Sequence, residues 1–289
     1  PHSHDRGAPP HYSQPSATMM NLLSSKTLRT SLVLGLAASS AAAQSLMGVH
    51  GEVVLAAGQS APGLPGYTIY DTNAFAFGSP VIDQNGTIAL GVRLLPTGVD
   101  DRAIYVGRNA SDLQLVVQSN QQAPGLPAGT LLVSNSTSSG SGLENDPIIS
   151  PFNEIIVFGS KVDDAVLLAG YPGAVDVIAL EGAQVPGQVA GVLWSAASGG
   201  TMSFLVAVND AGDIVFNPKL IGTGVTTSDD SVMATYQNGS GVTTWAREGD
   251  QAPGMAPGVI LYNTPSANSS NFDHNGNLVF VWSIDDGGV

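Results

Sequence analysis

The sequence predicts an all-β fold, a propeller-like array of four-stranded antiparallel meanders, on three observations. A phrase centred on Pro-Gly recurs four times, and its prolines lie 62, 62 and 67 residues apart, at Pro62, Pro124, Pro186 and Pro253. A turn and an alternating apolar strand follow each copy of the phrase. No amphipathic helical pattern occurs beyond Gln44. A fixed period of this length indicates equivalent supersecondary units in tandem.

The element after each Pro-Gly phrase is a short apolar segment, which predicts an extra strand in the connection. These segments are Thr68–Tyr70, Leu131–Val133, Val192–Trp194 and Val259–Tyr262. A hairpin turn comes next, with Asp, Ser or Asn first and Gly or Asn fourth, as in a type I turn closed by a left-handed residue. The turns are Asp83–Gly86, Ser150–Asn153, Asn209–Gly212 and Asp273–Gly276.

The strand after each turn shows which of its faces is buried. Ile88–Leu94 and Leu278–Ile284 alternate, which predicts a strand with one face more buried than the other. Ile155–Phe158 is apolar on both faces, as expected for a strand between two layers. Pro218 predicts an end or a bulge in the strand of the third unit. Two further strands complete each full meander: Ala103–Val106 and Leu113–Gln118, Ala165–Ala169 and Val175–Leu180, and Ser231–Tyr236 and Val242–Arg247.

The architecture follows from how such units must pack. A lone meander cannot bury both of its faces, so each unit needs neighbours. Meanders packed face to face around an axis form a β-propeller, which is the expected architecture. Gly51–Ala57 aligns with the last strand of a unit and the sequence stops inside another, which gives about three and a half units and an array incomplete at the C-terminus. A β-sandwich or a β-solenoid built from the same hairpins is the alternative.

The first part of the chain has the composition of a leader. Residues 1–18 are polar and lack an initiator Met, so we interpret them as non-native or as an over-extended reading frame. Residues 19–43 carry a basic start, an apolar stretch and small residues at the end, which predicts a secretory signal peptide cleaved near Ala43. The apolar stretch is shorter than the about 20 residues of a transmembrane helix. We therefore expect a secreted or extracytoplasmic β-repeat domain over residues 44–289, without a transmembrane segment.

Charge and composition exclude several classes of function. The formal net charge is −14, so the surface repels nucleic acid and anionic lipid, which bind through Lys and Arg. The chain has no Cys, which excludes disulfides, thiolate metal sites and a Cys nucleophile. Beyond the signal peptide only His50 and His274 remain, which leaves little material for zinc or Ser-His-Asp chemistry. We expect no nucleic-acid partner.

A double aspartate follows the second strand of every unit and forms the candidate metal site. Equivalent loops would place a ring of carboxylates on one rim, and hard oxygen ligands in loops suit Ca²⁺. The candidate residues are Asp100, Asp101, Asp163, Asp164, Asp229, Asp230, Asp285 and Asp286. Each pair alone offers too few ligands, and Asp is also favoured in solvated turns by local backbone bonding. Calcium is therefore the one candidate cofactor.

No constellation of residues predicts catalysis. Carboxylate pairs for glycoside hydrolysis could be drawn from Asp71, Glu144, Asp146 or Glu154, and nothing in the sequence selects a pair. No G-x-S-x-G, Walker or H-E-x-x-H motif occurs. We therefore assign no catalytic residue.

The G-D-x-A-P-G type phrase, the D-x-N-G-x-I turn and the D-D pair together resemble a repeat of secreted bacterial proteins. Many of those proteins are of planctomycete type, have no assigned function and carry a PEP-CTERM-type sorting tail. The resemblance extends from Gly51 to the end, with Asn120 and Asn153 departing from a Gly of the pattern. It implies an extracytoplasmic protein, surface-anchored through a missing C-terminus, and supplies no catalytic residues.

Two functions fit these observations. The first is a secreted or cell-surface, non-enzymatic β-repeat protein that binds a protein or glycan ligand or serves as an envelope scaffold. The alternative is a glycan-active hydrolase or lyase on a propeller scaffold. The second predicts acids and aromatic residues from different units converging on one pocket.

Overall fold

The computed structural model describes residues 53–70, 77–95, 101–133, 147–161, 164–196, 206–263, 271–272 and 277–287. The chain divides between Gly51 and Glu52, and every described residue belongs to the second part. The described residues are all-β, with antiparallel strands and no helix. The all-β prediction is therefore confirmed for this part of the chain.

The strands group into four consecutive units, numbered 1 to 4 along the chain. Unit 1 contains β1 (Thr68–Ile69), β2 (Val81–Ile82), β3 (Ile88–Leu95), β4 (Asp101–Gly107) and β5 (Gln114–Gln118). Unit 2 contains β6 (Ile148–Ile149), β7 (Ile156–Lys161), β8 (Ala165–Tyr171) and β9 (Ala174–Leu180). Unit 3 contains β10 (Val192–Ser195), β11 (Val206–Val208), β12 (Ile214–Phe216), β13 (Lys219–Gly222), β14 (Val232–Gln237) and β15 (Gly241–Arg247). Unit 4 contains β16 (Ile260–Tyr262), β17 (Asn271–Phe272), β18 (Leu278–Val279) and β19 (Ser283–Asp285).

Units 1 to 3 are each built on a four-stranded antiparallel meander. The strand orders are β2-β3-β4-β5, β6-β7-β8-β9 and β11-β12-β14-β15. In unit 4 the described residues supply the first hairpin, β17–β18, and β19. The predicted meander is therefore confirmed in three consecutive units.

The extra strand in the Pro-Gly connection is also present in units 1, 3 and 4, where it pairs with an equivalent strand. β1 pairs with Leu94 and Leu95 at the end of β3, β10 pairs with β13, and β16 pairs with β19. In unit 2 the predicted segment forms one antiparallel bridge, between Gln122 and Leu131. The predicted break at Pro218 is confirmed, because β12 ends at Phe216 and β13 begins at Lys219.

Consecutive units pack face to face around alternating apolar side chains. In β7, Ile156 and Phe158 face unit 1, whereas Val157 belongs to the core shared with unit 3. In β8, Leu168 faces unit 1 and Leu167 faces unit 3. Because successive strand residues point to opposite faces, a strand with a unit on each side must be apolar throughout. The two-sided burial predicted for this strand is confirmed.

The same arrangement recurs between units 3 and 4. Val215 and Met233 of unit 3 contact Phe272, Leu278 and Trp282 of unit 4. No sheet of the described residues closes on itself. The fold is therefore a series of antiparallel sheets stacked in chain order. A β-sandwich is compatible with it.

Candidate functional site

Each Pro-Gly phrase is a β-hairpin loop made of two tight turns. In unit 2 the first turn is closed by Leu126 N–H donating to Ala123 O at 3.3 Å, and the second by Thr130 N–H donating to Pro127 O at 3.1 Å. The third residue of each turn, Gly125 and Gly129, has a φ of 71° and 91°. A type II turn requires positive φ at this position, which explains the glycines of the phrase.

A glutamine two residues before the proline holds both turns together. The Nε2 of Gln122 donates to Ala123 O, Leu126 O and Pro127 O at 3.0–3.2 Å, and its Oε1 accepts from Gly129 N–H at 2.8 Å. Gln184 and Gln251 occupy the same position, and each bonds the backbone of its own loop in the same manner. Sequence reasoning missed this role, although a glutamine at this place in three phrases was the signal.

The loop of unit 1 lacks the glutamine and is one residue shorter. Ser60 stands in its place, and the bridge from Ser60 reaches Thr68, whereas the bridge from Gln122 reaches one residue further along its loop. Here Leu64 belongs to both turns, accepting from Tyr67 N–H and donating to Ala61 O. Two turns that share a residue need no side chain to join them, which accounts for the serine.

The residue four positions before the proline also has left-handed backbone. Gly58, Gly182 and Gly249 have φ between 77° and 87°, and Asn120 has φ 62°. Asn tolerates this conformation better than most other non-glycine residues, so the departure from glycine leaves the hairpin intact. Its side chain is used as well, because Asn120 Nδ2 donates to Asp101 Oδ1.

The turn aspartate and asparagine bond to backbone, as predicted. Asp83 Oδ1 accepts from Asn85 N–H at 2.8 Å and from Thr87 N–H at 2.7 Å. Asn209 Oδ1 accepts from the equivalent amides, those two and four residues further on. These side chains mimic a backbone turn, which identifies them as structural. The fourth predicted turn, 273–276, lies outside the described residues.

The turn of unit 2 corrects the predicted alignment. Its left-handed residue is Glu154, with φ 57°, and not Asn153. Ser150 Oγ accepts from Ile155 N–H at 3.0 Å, five residues on, so this turn is one residue longer than the others. The longer turn frees Asn153 to donate its Nδ2 to Asp210 O of the next unit.

The turns of three successive units are joined into one continuous edge, which we call the turn edge. Gln84 N–H donates to Pro151 O at 3.0 Å, and Asn85 Nδ2 donates to Phe152 O at 3.1 Å. Thr87 Oγ1 donates to Glu154 Oε1 at 2.9 Å. The turn edge is the candidate functional surface, because it collects exposed groups from three units.

An ion pair reinforces the turn edge. Arg108 Nη2 lies 2.7 Å from Glu154 Oε1, and both side chains are about half exposed. Glu154 was a candidate residue for glycoside hydrolysis, and in the structure it forms an ion pair with Arg108. The other candidate acids, Asp71, Glu144 and Asp146, lie outside the described residues.

The double aspartates occupy different environments. Asp101 is buried in β4 and accepts from Ser119 Oγ and Asn120 Nδ2. Asp230 pairs with the Nζ of Lys219. Asp285 is the last residue of β19, and its Oδ1 accepts from the N–H of Gly287 at 2.9 Å.

The remaining members differ again. Asp229 lies 2.8 Å from Arg247 Nη2 and accepts from the backbone and the hydroxyl of Thr226. Desolvation opposes ionisation, but the bonds from Thr226 and the charge of Arg247 prevail and lower its pKa. Asp164 and Asp286 are exposed. Asp100 and Asp163 lie outside the described residues.

No group of three or more Asp, Glu or His side chains in the described ranges lies close enough together to hold a metal ion. Calcium at these aspartates stays a prediction, since half of the loops concerned reach into residues that are not described. The same part of the chain contains no helix long and apolar enough to cross a membrane.

Comparison with known protein families gives a match to the second half of the chain. Residues 152–288 match the model of a family described as "Family of unknown function (DUF7453)". The match runs from the turn of unit 2 through unit 4. No curated protein and no solved structure matches the chain.

Proposed function

We propose that this chain is a non-enzymatic, secreted or cell-surface β-repeat protein that serves as a rigid binding or envelope scaffold. The observation that carries the proposal is the use made of the repeated polar side chains. The loop glutamines, the turn residues Asp83 and Asn209, and the buried Asp101 all bond to the protein itself. Side chains that bond in this way hold the loops in shape, which is a structural role.

The architecture we propose for the scaffold is propeller-like. Support comes from the first strand of each meander, because β2 contacts β6, β6 contacts β11, and β11 contacts β17. Sheets that meet in order along their first strands resemble blades arranged around a common axis. A small-angle scattering profile tests this, since a fan of blades gives a rounder particle than an extended solenoid.

The turn edge is the surface we propose for a protein or glycan ligand. It gathers Asn85, Phe152 and Asp210 from three units, and Phe152 is exposed. Repeat proteins commonly bind through a surface to which every unit contributes a loop. Substitution of Phe152 by Ser would test the surface without touching a turn side chain that bonds to backbone.

Two measurements test the proposed function. Expression of residues 19–289 in a secreting bacterial host is expected to yield an exported protein. Its intact mass is expected to match a chain whose first residue is Gln44. The exported protein is expected to release no reducing sugar from a panel of polysaccharides. Retention in the cytoplasm would contradict the location, and sugar release that disappears in a Glu154→Gln variant would favour the glycan-active alternative.

Calcium is the ligand we propose for the aspartate loops, on the ligand chemistry of paired carboxylates. The prediction is a rise in melting temperature at millimolar calcium, because a ligand that binds the folded state stabilises it. Magnesium at the same concentration is the control, since a smaller ion prefers a different coordination geometry. Equal melting temperatures in calcium and in chelator would contradict a calcium site.

A further inference from the structure

Two Asn-Gly pairs of the described residues occur in almost the same tetrapeptide. Residues 84–87 read Gln-Asn-Gly-Thr, and residues 237–240 read Gln-Asn-Gly-Ser. In an Asn-Gly pair the backbone nitrogen of the glycine readily attacks the side-chain amide of the asparagine, because glycine has no side chain to obstruct the approach. The local sequence therefore gives Asn85 and Asn238 nearly the same reactivity. A third pair, Asn275-Gly276, lies outside the described residues.

Exposure does not separate the two asparagines. Both side chains are exposed. A Cβ added to Gly86 or to Gly239 would meet no atom within 4 Å, so the space beside each glycine is open. Water and base therefore reach both pairs, and any difference in reactivity must come from their hydrogen bonds.

In the turn of unit 1 both reacting groups are held. Gly86 N–H, which contains the nitrogen that would attack, donates to Asp83 O at 3.3 Å. The amide that would be attacked is fixed to the next unit, because Asn85 Nδ2 donates to Phe152 O at 3.1 Å. Rotation of this side chain onto the glycine nitrogen would break both bonds and one of the contacts between units 1 and 2.

In the hairpin between β14 and β15 neither group is held. Ser240 N–H donates to Gln237 O at 2.9 Å and closes the turn, and Gly239 at its third position has a φ of 80°, as in a type II turn. The closing bond uses the N–H of the fourth residue and leaves that of the third to solvent. Among the described residues, none forms a hydrogen bond with the side chain of Asn238 or with the N–H of Gly239.

The loop of this hairpin can change shape while the strands stay paired. The last pair of β14 and β15 joins Gln237 to Gly241, so residues 238–240 lie beyond the ladder. Gly241 has a φ of 86°, which places a second left-handed glycine in the same short loop. Glycine reaches more backbone conformations than any other residue, so the loop can bring the asparagine side chain over the next nitrogen.

We propose that Asn238 is a site of spontaneous succinimide formation in the folded protein, whereas the turn edge protects Asn85. Gly239 N gives its proton to hydroxide or to a buffer base and attacks Asn238 Cγ. The N–Cγ bond forms, the Cγ–Nδ2 bond breaks, and Nδ2 takes a proton from water and leaves as ammonia. Water then opens the ring at either carbonyl, which gives aspartate or isoaspartate. The product carries one more negative charge than the asparagine.

The test incubates the folded full chain at mildly alkaline pH and follows both sites by mass spectrometry. Trypsin cleaves after Arg93, Lys219 and Arg247, so the three Asn-Gly pairs fall in different peptides. Because two hydrogen bonds must break at Asn85 alone, Asn238 is expected to convert about tenfold faster. Circular dichroism verifies that the protein remains folded throughout. Equal rates at the two sites would overturn the proposal.

The same chain unfolded in guanidinium chloride is the matched control. Without the turns, Asn85 and Asn238 are expected to convert at comparable rates, which assigns the difference in the folded protein to structure. If Asn85 converts as slowly in the unfolded chain as in the folded one, its sequence protects it and the proposal is wrong.

An Asn238→Gln variant tests the residue and the mechanism. The peptide of residues 220–247 contains no other asparagine. Glutamine closes a larger ring much more slowly, so the mass change of this peptide is expected to disappear in the variant. In the wild type, isoaspartate at position 238 is the expected sign of the ring, because direct hydrolysis of the amide gives aspartate only. A mass change that persists in the variant, or aspartate without isoaspartate in the wild type, would contradict the proposal.

Discussion

The side chain of Gln184 shows how one residue determines the shape of a loop. Its amide nitrogen donates to Val185 O and Val189 O at 3.1 Å, and its oxygen accepts from Gly191 N–H at 2.9 Å. An apolar residue of similar size could fill the same space but could not join the two turns. The glutamine is absent from the phrase of unit 1, where a shorter loop makes it unnecessary.

Replacement of Gln184 by Ala is expected to destabilise the protein by about 1 kcal/mol, because the loop is exposed and water replaces part of the lost bonding. Urea unfolding measures the change. Gln84→Ala is the matched control, since Gln84 contributes a backbone N–H to the turn edge that the substitution retains. An equal effect of both substitutions would show that the loop amide has no special role.

Asp229 makes one part of the stability depend on pH. Hydrogen bonds from Thr226 and the charge of Arg247 lower its pKa below the usual 3.8 despite desolvation. A carboxylate with a lowered pKa in the folded state stabilises the fold above its unfolded pKa, and the contribution is lost as pH falls through the folded pKa.

Comparison of the wild type with Asp229→Asn over a range of pH tests this linkage. The wild type is expected to melt at the higher temperature at neutral pH, and the difference is expected to narrow once pH falls below 3.8. Thermal melts followed by circular dichroism give both curves. A constant difference from neutral to strongly acidic pH would contradict the assignment.

At the scale of the element, the apolar patterns predicted the strands well. The first and last residues of β3, β8 and β15 lie within two residues of the predicted ones. The sequence of β3 alternates, whereas β8 has a neighbouring unit on each face and is apolar throughout, and both patterns indicate a strand. The extra strands were also predicted, because each is short and apolar and begins one or two residues after a glycine.

The turns were predicted less completely, for a physical reason. Ser150 matches the first position of the pattern, yet the turn it begins contains one residue more than the others. What fixes its length is contact with neighbouring units, through Glu154 to Thr87 and Asn153 to Asp210. Contacts between residues of different units produce no pattern in the local sequence, so they could not be predicted from it. The buried setting of Asp101 was not predicted either, because its partners Ser119 and Asn120 lie beyond the next strand.

Gly212 illustrates how turns of adjacent units constrain one another. Its φ is 85°, and a Cβ added there would overlap Ile155 Cδ1 of unit 2. Gly86 has a φ of 82° at the equivalent position, with nothing within 4 Å of the added atom. The two glycines therefore share a backbone requirement, and Gly212 has a packing requirement in addition.

Gly212→Ala is expected to cost about 2–4 kcal/mol, the sum of left-handed strain and overpacking against Ile155. Gly86→Ala is expected to cost about 1–2 kcal/mol, from the backbone alone. Urea unfolding of both variants gives the difference, which estimates the contact between units. Equal costs would mean that the contact between Gly212 and Ile155 does not limit the side chain at position 212.

At the scale of the whole molecule, stability depends on cores shared between units. Unit 2 contributes Leu168 to the core on one side and Leu167 to the core on the other. A sheet with both faces in shared cores cannot unfold without exposing both neighbours. Stability in such an array is approximately the sum of unit terms and nearest-neighbour interfaces.

Replacement of Leu168 by Ala tests whether these interfaces act together. Leu168 is fully buried between units 1 and 2, so its truncation is expected to cost about 2–5 kcal/mol.

Trp194 lies in the other core, between units 2 and 3, with its ring 6.0 Å from that of Phe216. Fluorescence reports on Trp194 alone when Trp245 and Trp282 are replaced by Phe in all the proteins compared. If the interfaces are coupled, the unfolding transition seen by Trp194 fluorescence shifts to lower urea by the same amount as the transition seen by circular dichroism. Ile82→Ala, at an exposed position, is the control and is expected to shift neither. A Trp194 transition that stays in place while circular dichroism shifts would show that the units unfold independently.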